Sequence, residues 1–94
     1  MTEILSDSEA DERLSADWTR SGKVISREVE LASFPQAIEV VDRVAVLAEA
    51  ADHHPDIDIR WRTLTFRLST HSAGGLTEKD FSLAAEIDEV LSSL

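Results

Sequence analysis

Two neighbouring stretches of the chain alternate between apolar and polar residues. Ile57, Ile59 and Trp61 are interleaved with Asp58, Arg60 and Arg62, and then Leu64, Phe66 and Leu68 with Thr65, Arg67 and Ser69. A period of two marks half-buried strands, and the pair predicts a hairpin with a tight turn near Arg62 and Thr63. An earlier hairpin is expected from Trp18 onward: Ser21-Gly22 is a turn signal, and in the run from Val24 to Leu31 the residues Ile25, Val29 and Leu31 share one side.

Between these hairpins the period changes. Ser33-Phe34-Pro35-Gln36 fits a capping box with proline in the first turn, where its missing amide does no harm. Phe34, Ile38, Val41, Ala45 and Ala48 form one stripe, widened by Val40, Val44, Leu47 and Ala51, which predicts a central core helix. It is expected to end near His54, because Pro55 disfavours a helical residue before it. Ser6-Asp7-Ser8-Glu9 caps a thin-faced peripheral helix from about Asp7 to Ser15. Thr77-Glu78-Lys79-Asp80 caps a last helix with Phe81, Ala84, Ile87, Leu91 and Leu94 on one face. The order α-β-β-α-β-β-α predicts an α+β two-layer sandwich, a four-stranded antiparallel sheet with helices packed on one face, formed by a single domain over 1–94.

Composition narrows the function classes. Nineteen acidic against nine basic side chains give a net charge of −10, a field that repels phosphate backbones and anionic lipid, so neither nucleic acid nor membrane is an expected partner. The apolar stretch around Val40 to Ala51 is broken by Asp42, Arg43 and Glu49, and the acidic start resembles no secretion signal, so a cytoplasmic protein is expected. The absence of cysteine excludes disulfides, thiolate metal sites and a cysteine nucleophile.

The candidate chemistry lies with three histidines, the side chains whose ordinary pKa suits proton transfer near neutrality. His53 and His54 sit where the core helix gives way to a strand, and His71 follows the partner strand. Antiparallel strands place the start of one beside the end of the other, so the three are expected to meet at one edge of the sheet. Glu49, Asp52, Asp56 and Asp80 supply carboxylates nearby. Each residue also has a structural reading: a solvated loop for His71, a helix end for His53-His54, an exposed helix face for Glu49 and Asp52, and a capping carboxylate for Asp80. A metal site is disfavoured, because adjacent histidines project in different directions and the helical i, i+4 pair is absent.

The run Ala48-Glu49-Ala50-Ala51-Asp52-His53-His54-Pro55 resembles the His-His-Pro signature of the pterin-4a-carbinolamine dehydratases. Leu68-Ser69-Thr70-His71, followed by Gly75-Leu76-Thr77-Glu78-Lys79-Asp80, resembles the family's second motif. The family more often has Tyr-Asn where this chain has Trp61-Arg62. The resemblance implies a dehydratase acting on 4a-hydroxytetrahydropterin without metal or cofactor, with His53, His54 and His71 catalytic. Glu49, Asp52, Pro55, Trp61 and Asp80 would bind or orient, with Asp80 orienting His71 or holding the site through the last helix. It further implies a small-molecule pterin as partner and a homodimer or homotetramer, with a protein-interaction module on the same fold as the alternative.

Overall fold

The computed structural model describes residues 3–94; of the expected span 1–94, positions 1 and 2 lie outside the described residues. The elements are α1 (Asp7–Arg13), β1 (Thr19–Ser21), β2 (Val24–Glu30), α2 (Phe34–Ala51), β3 (Asp56–Arg60), β4 (Thr63–Leu68) and α3 (Glu78–Ser92). All strand pairs are antiparallel, in the order β1-β2-β4-β3, so the two hairpins join through β2 and β4. This is the expected α+β arrangement.

Register decides which side chains face the helices. Ile25 pairs with Leu68, Arg27 with Phe66 and Val29 with Leu64, and on the other side of β4 Ile57 pairs with Phe66. Directly opposed residues share a face, so these form the inner layer, and Ile25, Leu64, Phe66 and Leu68 are buried in one core with residues of α2 and α3. Arg27 breaks the apolar set, and its guanidinium is met by Asp88 of α3. Asp88 also accepts from the indole N–H of buried Trp18, at 2.8 Å. The outer layer, with Glu28, Asp58, Thr65 and Arg67, is polar.

Several boundaries differ from the sequence pattern. The helix α1 stops at Arg13 rather than Ser15, with Leu14 already extended. The α2 stripe that enters the core is Ala37, Val40, Val44 and Ala48; Phe34 is 46% exposed and Ala45 is exposed. This helix is apolar around most of its circumference, and its face of smaller residues is the one buried in the same core as the bulky Leu64, Phe66 and Leu68. In α3 the buried face is Phe81, Leu83, Ala84, Ile87 and Val90, with Leu91 at its margin and Leu94 beyond the helix and 47% exposed.

The turn of the second hairpin is Trp61-Arg62, because Arg60 pairs with Thr63. Trp61 is therefore not an inward strand residue; it has φ 56° and is 72% exposed. A two-residue hairpin loop needs positive φ at its first central position to match the strand twist, which places Trp61 in a conformation that usually belongs to glycine.

Candidate active site

The end of α2 sets the direction of the histidine pair. Asp52 adopts the left-handed conformation, φ 50° and ψ 43°. Its N–H donates to the Glu49 carbonyl at 3.2 Å, while the His53 N–H donates to Ala48 at 3.0 Å. This Schellman-type closure satisfies two terminal carbonyls and reverses the chain within one residue. His53 then turns inward, 8% exposed, and His54 turns outward. Pro55 follows, half-buried, and leads directly into β3.

His53 meets the first turn of α3. Its Nε2 lies 2.6 Å from Oδ1 of Asp80, whose side chain is wholly enclosed. The other oxygen, Oδ2, accepts the Thr70 hydroxyl at 2.8 Å and the Thr77 N–H at 2.9 Å. The two threonine hydroxyls are 2.7 Å apart. Asp80 thus does two jobs at once: it caps α3 and holds His53. Of the two roles expected for Asp80, orienting His71 or holding the site through the last helix, the imidazole it meets is His53 rather than His71, and it does so from the first turn of α3.

His54 is paired with Glu49, Nε2 to Oε1 2.8 Å, and both side chains are largely exposed. Asp52 is exposed, and among the described residues its carboxylate hydrogen-bonds no imidazole. His71 is exposed and opens the turn His71–Gly74, which closes on the Thr70 carbonyl through the N–H groups of Ala73 and Gly74, each at 3.0 Å. The Thr70–Gly75 bridge seals its base. Continuing the β3–β4 register beyond Asp56 and Arg67 sets His53 across from Thr70, the neighbour of His71. His53 and His54 thus precede β3, and His71 follows β4, at the same end of this hairpin.

Trp61 lies at the opposite end. Six residue steps along extended chain separate it from Pro55, about 20 Å at strand rise. The larger clefts also lie elsewhere. One of about 550 Å³ runs between β2 and the ends of α2 and α3, lined by Arg27, Glu30, Gln36 and Asp88 among others, with no histidine. Among the described residues no group of three or more His, Cys, Asp or Glu is placed to hold a metal ion, and no helix is long and apolar enough to cross a membrane.

Thr70 and Thr77 received no role at this site from the sequence, yet a signal was present. Thr70 continues the inward parity of Leu64, Phe66 and Leu68, so a polar hydroxyl was due to be buried there and to require a partner.

The family model for pterin 4 alpha carbinolamine dehydratase matches residues 3–90. The chain belongs to the pterin-4a-carbinolamine dehydratase family. A relative in Nocardia farcinica, provisionally named a pterin-4-alpha-carbinolamine dehydratase, is 64% identical over 91 residues, covering 95% of this chain and 96% of the relative. One in Roseiflexus castenholzii with the same provisional name is 59% identical over 93 residues, covering 97% and 100%. Among solved structures, a transcriptional coactivator/pterin dehydratase from Brucella melitensis superposes with a TM-score of 0.90 at 28% identity, over 94% of this chain and 98% of the other. A pterin dehydratase-like protein described as a RuBisCO assembly factor in the alpha-carboxysome shares the fold, with a TM-score of 0.64 at 20% identity over 78% and 84%. Proteins of this fold are thus described in more than one role.

Proposed function

We propose that the protein dehydrates pterin-4a-carbinolamine to quinonoid dihydropterin and water, recycling the pterin of an aromatic amino-acid hydroxylase in the cytoplasm. The observation that carries this reading is the hydrogen-bonded arrangement at one hairpin end, with His53 held by Asp80 at 2.6 Å and His54 by Glu49 at 2.8 Å, beside the turn that carries His71. Hydroxide is a poor leaving group. An imidazolium from the exposed His71 or His54 donates its proton to the C4a oxygen, the C4a–O bond breaks, and water departs. The N5 lone pair forms the C4a=N5 bond, and the N5 proton passes to a second imidazole, the role we give to His53. One proton is delivered and one removed, so the enzyme returns to its starting charge. Two imidazoles acting as acid and base each supply about 10²–10⁴-fold in a favourable geometry.

Stopped-flow decay of freshly generated carbinolamine tests the reading. Acceleration well above a heat-treated control is expected; decay at the uncatalysed rate overturns it.

A second reading, an interaction module, is favoured by the apolar surface. Phe34, Val46, Ile59 and Trp61 are all exposed, and β1 and β3 are open sheet edges. Self-association into a homodimer or homotetramer would cover both features. Light scattering at micromolar concentration would show a dimer or larger; a monomer alone would remove this part.

A further inference from the structure

The cluster around Asp80 contains more order than holding one imidazole requires. As a carboxylate, Asp80 has acceptors only, and three donors converge on it: His53 Nε2 on Oδ1, and the Thr70 hydroxyl and Thr77 N–H on Oδ2. Thr70 has one hydroxyl proton, and Asp80 takes it. The 2.7 Å contact between the threonines is then donated by Thr77 and accepted by Thr70. Every proton in the cluster is thereby committed to Asp80 or to the Thr70 oxygen, and no group in it can donate to Nε2. Neutral His53 therefore carries its proton on Nε2 and its lone pair on Nδ1. Among the described residues nothing hydrogen-bonds Nδ1, and the one fully enclosed side-chain nitrogen or oxygen without a partner is Arg62 Nε, so Nδ1 lies at the open margin of the cluster.

We infer that Thr70 and Thr77 are positioning residues which, through Asp80, dictate that His53 presents the Nδ1 lone pair to the substrate. This deepens the dehydratase reading and rests on it, because it names the atom that accepts the pterin proton. Thr70 also couples the two halves of the site. Its hydroxyl holds the carboxylate that holds His53, its N–H donates to the Gly75 carbonyl at 3.1 Å, and its carbonyl closes the turn that carries His71. A shift of Thr70 moves His53 and His71 together.

The sharpest test is Asp80→Asn, read by the ¹⁵N shifts of the His53 ring. In this variant the Thr70 hydroxyl and the Thr77 N–H still need an acceptor where Oδ2 stood, so the amide oxygen takes that place. Its NH₂ then faces Nε2, which must accept, and the proton moves to Nδ1. In the wild type, measured about two pH units above the ordinary imidazole value of about 6.5, Nε2 is expected at a protonated-nitrogen shift and Nδ1 at a lone-pair shift. In Asp80→Asn the two are expected to exchange. Where an analogous Asp→Asn change forces the wrong tautomer in a Ser-His-Asp triad, turnover falls about 10⁴-fold, and a fall of about 10²–10⁴-fold is expected here.

Thr70→Val should keep the wild-type His53 pattern, because the carboxylate still only accepts, but loosen the hold on Asp80 and lower kcat about tenfold, the weight of one hydrogen bond, with KM within about twofold, and Thr70→Ser should restore kcat. This pair carries the test should Asp80→Asn fail to fold by circular dichroism. Unchanged His53 shifts in folded Asp80→Asn, or failure of Thr70→Ser to restore what Thr70→Val loses, overturns the inference. If the tautomer inverts as expected while the wild type does not accelerate dehydration, the positioning role stands and the proposed function falls.

Discussion

His53 and Asp80 are 27 positions apart in sequence, yet their side chains meet at 2.6 Å inside the protein, where the last turn of α2 abuts the first turn of α3. The contact welds two helix ends to the candidate site, so the catalytic and structural consequences of losing it are coupled. His53→Ala removes the donor to Oδ1 of a wholly enclosed carboxylate. Leaving such a group unsatisfied costs about 1–3 kcal/mol, and urea unfolding should show a loss of that size together with a fall in turnover. Unchanged stability would mean that solvent reaches Asp80 in the variant and replaces the imidazole.

His71 offers the opposite combination. It is exposed, and the turn it opens is held by Thr70, Ala73, Gly74 and Gly75 through backbone groups. His71→Ala should therefore leave the melting behaviour within about 0.5 kcal/mol of the wild type, while carbinolamine dehydration slows by about 10²-fold or more. Turnover at the wild-type rate would exclude His71 as a proton donor and leave His54 as the exposed imidazole for that step.

How far the sequence discloses this site depends on which interactions are local. The period-two alternation of β3 and β4 is local, and with it the placing of His53 and His54 before β3 and of His71 after β4. The capping relation of Asp80 to Thr77 is local too. The His53–Asp80 bond is not, because it depends on how α3 docks beside the end of α2. The rotation of α2 was equally hidden: with apolar residues around most of the helix, either the Phe34–Ile38–Ala45 side or the Ala37–Val40–Val44 side could have faced the sheet, and the shape of the facing layer decided. Trp61 continued the alternation of Ile57 and Ile59, and only the pairing of Arg60 with Thr63 shows that the pattern runs on into the turn.

Acid should loosen α1 first. Arg13 in α1 chelates Glu78 of α3, with contacts of 2.6 and 2.7 Å, and Arg20 in β1 chelates Asp11 of α1, at 2.6 and 3.0 Å. The Arg13 hydrogen bonds hold the Glu78 carboxyl below its ordinary value of 4.5, against an opposing desolvation effect. Arg20 does the same for Asp11 below 3.8, and in the capping box Ser6 holds Glu9 below 4.5. A carboxyl whose folded-state pKa is lowered binds fewer protons folded than unfolded, so its stabilisation is complete above the ordinary value and is lost as pH falls through the folded value. Hydrogen exchange should show α1 amides losing protection below about pH 4.5, ahead of the α2 amides, and Arg13→Met should lessen the acid dependence of the urea midpoint. Equal slopes for Arg13→Met and the wild type below that pH would remove Glu78 from the account.

Trp61 tests the boundary of the site from outside. Its left-handed backbone is a strain of about 1–3 kcal/mol for a residue with a side chain. Opposing its replacement are the extra unfolded-state freedom of glycine, about 0.5–1 kcal/mol, and the stacking of the Arg62 guanidinium on its ring, 5.0 Å from the centroid. That contact is worth about 0.5–1 kcal/mol on an exposed surface. Central values leave Trp61→Gly about 0.5 kcal/mol more stable than the wild type, which a thermal melt can register. Because the hairpin carries Trp61 about 20 Å from Pro55, KM and kcat for the carbinolamine should stay within about twofold of the wild type. A large rise in KM at unchanged stability would show that Trp61 reaches a pterin after all, and within this fold it could do so only at the site of a neighbouring copy.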